Sequence, residues 1–205
     1  MTTNLPSLPH LYGNPLCVVD VETTGRIGGY HEIIQIAIVP LTIDLEIADV
    51  QPFYQNIKPN HPERAEVASR GVHGLNIDDL LVNAPSQERV LEYLIEWFSA
   101  LPLGHERKLS PIAHNWGFEK SFLTPWLGPD LMHSIFHPHS RDTMIFGAML
   151  NDRAALMGKE VPFPRLNLTA MAAQYGIENE NAHDALADCV VTAKLYSAVM
   201  RSLIS

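Results

Sequence analysis

The sequence has little positive charge. Its 205 residues include 14 Lys and Arg against 23 Asp and Glu, which gives a formal net charge of −9. A surface with this balance repels polyanions and excludes the broad basic face on which such polymers are usually bound. A polyanionic ligand would therefore need positive charge from a source other than the protein's own side chains.

Cysteine and long apolar runs are also scarce. Only Cys17 and Cys189 are present, one in an apolar run and one in a predicted helix, which indicates buried thiols in a reducing compartment and no disulfide framework. No apolar run is long enough to cross a bilayer, and the leader MTTNLPSLPHLYGNP lacks the cationic start and apolar core of a signal peptide. We therefore expect a cytoplasmic protein with no membrane contact.

The chain has no internal repeat, low-complexity segment or convincing linker. Its apolar residues, 46% of the total, are enough for one substantial core. We expect an N-terminal leader at 1–15, followed by a single domain at 16–205.

Apolar runs dominate the first part of that domain. Those at 16–21, 33–41 and 53–57 predict three successive strands. The segment PSQERVLEYLIEWFSAL at 85–101 has apolar residues at helical spacing and Ser86 as a candidate N-cap, so it predicts an amphipathic helix that packs on the sheet.

Strands and helices alternate in the second half of the chain. A short strand precedes His114, and WGFEKSFLTPWL predicts a helix that stops near Pro125. A helix over RDTMIFGAML follows, then a short helix that ends at Tyr175 and a final helix over about Ala182 to Leu203. This order predicts an α/β domain with a mixed sheet.

Two acidic residues, Asp20 and Glu22, end the first apolar run in the stretch CVVDVETTG. Residues two apart on a strand point to the same face, so these carboxylates lie side by side while Val19 and Val21 point the other way. The like charges repel each other unless a cation lies between them, and Mg²⁺ prefers oxygen ligands. A metal site is one interpretation; solvated acids at a strand end are the other.

Two later segments carry further candidate residues. IAHNWGFEKSFL places Glu119 among apolar residues, where it is either a buried carboxylate or a surface acid paired with Lys120. NAHDALADCVVTAKLY places His183, a candidate cap, near a helix start and Asp188 shortly after it. Asp184 and Asp188, four residues apart, would repel each other on a helix unless one of them binds a ligand.

Taken in order, three segments resemble the motifs of the DEDDh 3′–5′ exonucleases, the DnaQ-like family that includes proofreading polymerase subunits, oligoribonucleases and ribonuclease T. They are DVETTG at 20–25, HNWGFE at 114–119 and HDALAD at 183–188. GVHGL at 71–75 is similar to the family's HG loop, and RDT at 141–143 precedes a helix as in the family. The histidine five residues before the last aspartate indicates the h subtype.

The resemblance implies a ribonuclease H-like fold, with a mixed β-sheet flanked by α-helices, and a two-metal hydrolysis of terminal phosphodiester bonds. Two divalent cations, Mg²⁺ or Mn²⁺, would supply the missing positive charge. The implied metal ligands and catalytic carboxylates are Asp20, which would bridge the ions, Glu22, Asp188 and Glu119. His183 would take a proton from the attacking water, a role that suits histidine because its ordinary pKa lies near neutrality.

For substrate contact the resemblance points to five residues. They are Thr23 and Thr24 through their backbone, His73 in the HG loop, Asn115 and Phe118. The turn at Gly25 is expected to leave the two threonine N–H groups free to face a ligand oxygen. The expected partner is the 3′ end of a single-stranded nucleic acid, contacted over a few nucleotides. Because several members of the family are dimers, a homodimer is an open alternative to a monomer, and nothing in the sequence indicates a polymerase partner.

One position departs from the family pattern. The family normally has Asp where this chain has Glu119, whose side chain keeps the charge but reaches one methylene further. The altered geometry is expected to favour Mn²⁺ over Mg²⁺. The leading interpretation is a metal-dependent 3′–5′ exonuclease acting on single-stranded DNA or RNA. The alternatives are a catalytically weakened relative that binds nucleic-acid ends or a protein partner, and an enzyme that hydrolyses nucleotides or other phosphate esters.

Overall fold

Five strands form the centre of the molecule. The computed structural model describes residues 13–103 and 107–203, apart from the side chain of Arg70, so most of the expected leader lies outside the described residues. The strands are β1 (Leu16–Thr23), β2 (Ile33–Pro40), β3 (Phe53–Asn56), β4 (Ser110–Ala113) and β5 (Arg141–Asp142). Their order in the sheet is β3-β2-β1-β4-β5. The pairs among β1, β2 and β3 are antiparallel, whereas β4 pairs parallel with both β1 and β5, which confirms the predicted mixed sheet.

Seven helices lie in the described part of the chain. They are α1 (Val67–His73), α2 (Ile77–Asn83), α3 (Gln87–Ala100), α4 (Trp116–Ile135), α5 (Thr143–Leu156), α6 (Leu168–Ala173) and α7 (Ala185–Ser202). A single 3-10 turn at Pro62–Arg64 precedes α1. Ser86 caps α3 as predicted, because its side chain accepts a hydrogen bond from the Arg89 N–H. None of these helices is both long and apolar enough to span a bilayer.

The sheet is covered on both faces, which is why its central strands read as nearly continuous apolar runs. Cys17, Val19 and Val21 of β1 belong to the core that includes residues of α3 and α4. Leu16 and Val18 belong to a second core that includes Ala185 and other residues of α7. Alternation along the strand therefore directs the even-numbered residues of β1 toward α7.

Several helix boundaries differ from the sequence-based prediction. Helix α5 is Thr143–Leu156 rather than 141–150, and α6 ends at Ala173 rather than Tyr175.

Helix α4 does not stop near Pro125 but continues to Gly128, whose φ of 73° breaks the helix, and then resumes. Pro125 has no N–H to donate to the Ser121 carbonyl one turn earlier. The loop backbone at Gly28 packs there instead, so closely that a Cβ on Gly28 would lie 2.3 Å from the Ser121 oxygen.

The final helix begins at Ala185 rather than near Ala182. His183 has a φ of 71°, in the left-handed region, and so cannot be part of the helix. Asp184 is the N-cap, with its side chain accepting a hydrogen bond from the Ala187 N–H. The helix start therefore leaves His183 in the loop that leads into α7.

Candidate active site

The carboxyl-terminal half of β1 presents the first two acids of the site. Asp20 lies opposite Ala37 of β2 and Glu22 lies opposite Gln35. Because they alternate with Val19 and Val21, both acids lie on the face that Leu16 and Val18 present to α7. Glu22 is only 8% exposed, so the alternative of two solvated acids at a strand end does not hold for this residue.

The start of α7 brings a second acid to the same face. Asp188, 7% exposed, lies one turn into the helix, and both of its carboxylate oxygens accept hydrogen bonds. The Asn179 side-chain amide donates to one oxygen at 2.7 Å, and the His183 backbone N–H donates to the other at 3.0 Å. These two hydrogen bonds hold the loop before α7 to Asp188, and they fix the backbone position of the exposed His183.

Three of these side chains form a group with the composition of a metal site. One ligand atom from each of Glu22, His183 and Asp188 lies within 4.8 Å of the other two. Glu22 and Asp188 are buried, while His183 is exposed at the edge of the group. The predicted approach of the first and third motifs is therefore present in the structure.

The second motif supplies a buried carboxylate from α4. Glu119 is 3% exposed and its Oε2 has no hydrogen-bond partner among the described residues. It is close enough to Asp20 and Glu22 for their charges to affect its ionisation. A surface ion pair with Lys120 does not describe this residue. A buried carboxylate oxygen without a donor is costly, and a bound cation would remove that cost.

Asp142 holds the helix that carries Glu119. One Asp142 oxygen accepts from the backbone N–H groups of Met144 and Ile145, which caps α5, and also from that of Asn115 at 3.2 Å. Its other oxygen accepts from the Trp116 N–H at 2.8 Å. A single carboxylate thus joins the first turns of α4 and α5, and a charge at two helix N-termini also suits their dipoles.

The acids of the site raise one another's pKa values. Burial raises the pKa of Glu22 to about 9, with further contributions from the charges of Asp20, Asp188 and Asp184. Burial and the charges of Asp188 and Asp184 raise the pKa of Asp20, while burial and chiefly Asp20 raise that of Glu119. In the absence of a cation these groups resist ionisation together. Their donor set of carboxylate oxygens fits a divalent cation, which would reverse this cost.

The turn after β1 differs from the expectation that its N–H groups are free. The Thr24 N–H donates to the Glu32 carbonyl at 2.9 Å, so this group does not face a ligand. The Thr24 hydroxyl accepts from the Glu32 N–H, and the Thr23 hydroxyl donates to the Gly25 carbonyl. Gly25 is required for packing, because a Cβ there would lie 2.3 Å from the His31 ring. The expectation for Thr24 is wrong because the loop closes back on β2.

The other predicted substrate residues lie on neighbouring elements. His73 is the last residue of α1 and is buried, with its Nδ1 accepting from the Leu75 N–H at 3.0 Å. Asn115, exposed, precedes α4 with a φ of 85°. Phe118 is half-buried on the first turn of α4, with its ring centroid 4.9 Å from that of Phe122.

Sequence reasoning missed a polar network that ties α7 to the sheet. The buried Gln35 side chain donates to the Tyr54 hydroxyl at 3.0 Å and accepts from the Ala185 N–H at 2.8 Å. The Tyr54 hydroxyl donates to Asp184. The one available signal was a glutamine within the apolar run IIQIAIV. Asn179, in a polar turn, offered no signal because its role depends wholly on the packing of that turn against Asp188.

Comparison with known proteins defines the class. The model of the RNase T exonuclease family, described as an exonuclease, matches residues 17–196. The chain therefore belongs to this exonuclease family, as the resemblance of its motifs predicted.

Individual relatives agree with that assignment. Ribonuclease T of Shewanella sp. strain W3-18-1 is 26% identical over 190 residues, which cover 89% of this chain and 80% of that protein. The PolC-type DNA polymerase III of Staphylococcus aureus strain bovine RF122 / ET3-1 is 27% identical over 91% of this chain, but the match covers only 11% of the polymerase.

Solved structures share the fold. E. coli exonuclease I in complex with a dT13 oligonucleotide superposes with a TM-score of 0.74 at 17% identity over 93% of this chain, which spans 42% of that chain. The nuclease domain of 3′hExo, a DEDDh family member bound to rAMP, superposes with a TM-score of 0.65 at 18% identity, over 92% of both chains. These matches confirm the ribonuclease H-like fold, a mixed sheet flanked by helices.

Proposed function

We propose that the protein is a metal-dependent 3′–5′ exonuclease that removes nucleotides from single-stranded DNA or RNA. The observation that carries the proposal is the convergence of Glu22, Asp188 and His183, from two ends of the chain, within 4.8 Å. Burial and the charge of Asp188 raise the pKa of Asp20, and burial and the charge of Asp20 raise that of Glu119, so both acids lie close to this group. Membership of the exonuclease family supports the same activity. The relatives named ribonuclease T and the oligonucleotide complex of exonuclease I support a single-stranded substrate.

The four carboxylates would hold two divalent cations, Mg²⁺ or Mn²⁺. The fit rests on their oxygen donors, on the raised pKa values of Asp20, Glu22 and Glu119, and on the unpaired buried Oε2 of Glu119. When bound, such a pair supplies charge stabilisation to the attacking and leaving oxygens of an in-line displacement. The carboxylate of Asp188 is held for this purpose by Asn179 and by the His183 N–H, since ligands are oriented by their own hydrogen bonds.

The proposed general base is His183. Its side chain is exposed beside Glu22 and Asp188, and its backbone is fixed by Asp188. An imidazole nitrogen takes the proton of a water molecule as the water oxygen attacks the terminal phosphorus. The bond between phosphorus and the 3′ oxygen of the preceding nucleotide breaks, and this oxygen takes a proton from solvent water while the imidazolium returns its proton to solvent. The products are a nucleoside 5′-monophosphate and a shortened strand with a 3′ hydroxyl.

Substrate contacts are proposed for the residues that the family resemblance indicates. Asn115 is exposed, Phe118 is half-buried, His73 ends α1 and Thr23 is the last residue of β1. Thr24 is left out of this set, because its N–H donates to the Glu32 carbonyl. A partly exposed aromatic ring suits stacking of a terminal base, which is tolerant of sequence. Because the protein as a whole is acidic, we expect contacts over few nucleotides and binding that weakens as salt rises.

The activity is tested with matched DNA and RNA strands carrying a 5′ label. We expect ladders of progressively shorter labelled products with Mg²⁺ or Mn²⁺, none with chelator, and much slower digestion of a fully paired duplex or of a strand with a 3′ phosphate. Mononucleotide release should accompany the ladder. Internal cuts as first products, or hydrolysis of a mononucleotide ester at the same rate as the oligomer, would contradict the proposal.

The glutamate at position 119 supports a second candidate function, that of a weakened exonuclease that binds nucleic-acid ends. The longer side chain is buried, so its extra methylene must be accommodated within a packed site. If geometry limits the enzyme, Glu119→Asp is expected to raise the rate with Mg²⁺ about tenfold and to narrow the preference for Mn²⁺. Rates with each ion measure this, with exposed Asp152→Glu as control. A wild-type rate that exceeds that of Glu119→Asp with both ions would show that the site is adapted to glutamate.

A further inference from the structure

We infer that a cavity beside the loop between β1 and β2 binds one nucleobase of the strand, upstream of the terminal nucleotide. This space, the Tyr30 cavity, has a volume of about 230 Å³. Its walls come from that loop, the segment after β3, the start of α3 and the middle of α4, and they include Tyr30, Arg64, Gln87, Phe122 and Trp126. Only the source of the base, a bound strand, rests on the proposed function.

The Tyr30 cavity lies along α4 from the proposed active site. Glu119 and Trp126 are seven residues apart on the helix, which is about 10 Å along its axis. Phe118, Phe122 and Trp126 follow one another at four-residue intervals, so each side chain neighbours the next on the helix surface. The ring centroids of Phe118 and Phe122 are 4.9 Å apart. A strand whose terminal base meets Phe118 therefore has its next bases within reach of the cavity.

An exposed aromatic ring forms the outer wall of the cavity. Tyr30 is 51% exposed, and the Arg64 guanidinium lies over its ring, 5.0 Å from the centroid. Arg64 also donates a hydrogen bond to the Tyr30 carbonyl at 3.2 Å, which holds this part of the loop beside the cavity. Bases stack on aromatic rings with little regard to sequence, and guanidinium groups add to this attraction. The outer wall therefore suits a stacked base.

The inner wall offers a hydrogen-bond donor. The Trp126 indole N–H is buried and has no acceptor in the part of the chain that the structure describes. A buried donor without a partner costs free energy, and nucleobases carry carbonyl oxygens and ring nitrogens that accept hydrogen bonds. The Glu32 carboxylate also lines the cavity, but it already accepts from two loop N–H groups and from the Gln87 amide. The interior therefore favours a ligand that brings acceptors.

The size of the cavity limits which part of a nucleotide can enter it. Pockets for drug-sized ligands begin at roughly 300 Å³, so this smaller space holds a flat ring system without its sugar and phosphate. The phosphate would remain at the mouth, where His61 is exposed and Arg64 is half-buried. Arg64 has a long ion pair of 3.9 Å with Glu63, and such surface pairs contribute little. The ligand chemistry is thus a base with its phosphate outward.

The inference is tested by removal of one base at a time from a single-stranded hexanucleotide. In the wild type, kcat/KM for release of the terminal nucleotide is expected to fall about fivefold or more when one upstream base is missing. Tyr30→Ala should lose nothing further at that position, because the two changes remove the same contact. Tyr30→Phe keeps the ring and should respond as the wild type does.

Tyr93→Ala is the matched control. The Arg89 guanidinium lies over the Tyr93 ring, 4.6 Å from its centroid, but this pair does not line the cavity. The variant should therefore show the same sensitivity to the missing base as the wild type. If Tyr30→Ala and the wild type respond alike to every missing base, the inference is wrong.

A binding measurement separates this inference from the proposed activity. In chelator, where no digestion occurs, the hexanucleotide is expected to quench the fluorescence of Trp126, whereas one of the abasic strands should not. Trp126→Phe identifies the source of the signal. Quenching by thymidine 5′-monophosphate that Tyr30→Ala abolishes would show that free nucleotides also supply the base.

The remaining outcomes distinguish the two proposals. Absence of quenching by both the hexanucleotide and the monophosphate would overturn the cavity as a base site. Quenching by the hexanucleotide, lost in Tyr30→Ala, in a protein that digests no strand with Mg²⁺ or Mn²⁺ would refute the proposed function and leave the base site standing.

Discussion

Replacement of Asp20 by asparagine is expected to lower the rate of single-strand digestion roughly a thousandfold or more, equivalent to about 4 kcal/mol of transition-state stabilisation. Asn keeps the shape of the side chain but has no charge with which to hold a divalent cation. Asp20 lies on the face of β1 toward α7. Burial and the charge of Asp188 raise its pKa, and its own charge adds to the effect of burial in raising the pKa of Glu119. The measurement is the initial rate on a 5′-labelled strand with saturating Mg²⁺ or Mn²⁺.

The same substitution should stabilise the metal-free protein at neutral and alkaline pH. In the wild type, burial and neighbouring acids raise the pKa of Glu22 from an ordinary value of 4.5 to about 9, and also raise the pKa of Asp20. Between these limits the folded state holds protons that the unfolded chain has released, so the free energy of unfolding falls as pH rises from about 4.5 to about 9. Because Asp20→Asn removes one of these charges, the free energy of unfolding should fall less steeply with pH in this variant.

Thermal unfolding with chelator at a series of pH values checks this expectation. The Tm of wild type should fall as pH rises, that of Asp20→Asn should fall less, and the exposed Asp152→Asn should follow the wild type. Mg²⁺ or Mn²⁺ should raise the wild-type Tm most at high pH, where the ligands are ionised at least cost. A wild-type Tm that increases with pH in chelator would contradict the electrostatic account of the site.

Replacement of His183 by alanine is expected to lower turnover by about 10²–10⁴, the usual contribution of a general base. Binding of Mg²⁺ should be retained, because the four carboxylates remain. The backbone N–H of residue 183, which donates to Asp188, is also retained in this variant, so the position of Asp188 should not change. Single-turnover rates and calorimetric titration with Mg²⁺ separate the chemical step from metal binding.

A matched histidine substitution makes the result specific. His133, exposed near the end of α4, lies outside the group at the end of β1, and His133→Ala should digest the strand at the wild-type rate. If His183→Ala retains the full rate, another group must accept the proton. A loss of Mg²⁺ binding in His183→Ala would instead indicate that the histidine helps to hold the catalytic ions.

Much of the site followed from local rules. The two-residue period of a strand is enough to place Asp20 and Glu22 on one face, because it depends only on the pleat of the backbone. The order of the three motifs was sufficient to predict the exonuclease family and its ribonuclease H-like fold, and both are confirmed. The role of Ser86 as a cap also followed, since a cap needs only its own turn.

Contacts between distant segments decided the rest. The polar link from Gln35 through Tyr54 to Asp184 joins residues far apart in sequence, and no local pattern specifies it. The hydrogen bond from the Thr24 N–H to Glu32 exists because the loop after β1 folds back onto β2. Helix α4 passes through Pro125, with the loop at Gly28 packed against the carbonyl that the proline leaves without its N–H.

By itself, the sequence determined which residues could serve this site and which face of β1 they share, because strand periodicity and side-chain chemistry are properties of short segments. The tertiary structure alone decided that Asn179 orients Asp188, that Asp142 joins the starts of α4 and α5, and that His183 lies outside its helix. The reason is physical: hydrogen-bond partners and burial are set by how the helices pack on the sheet, and that packing is a property of the whole chain.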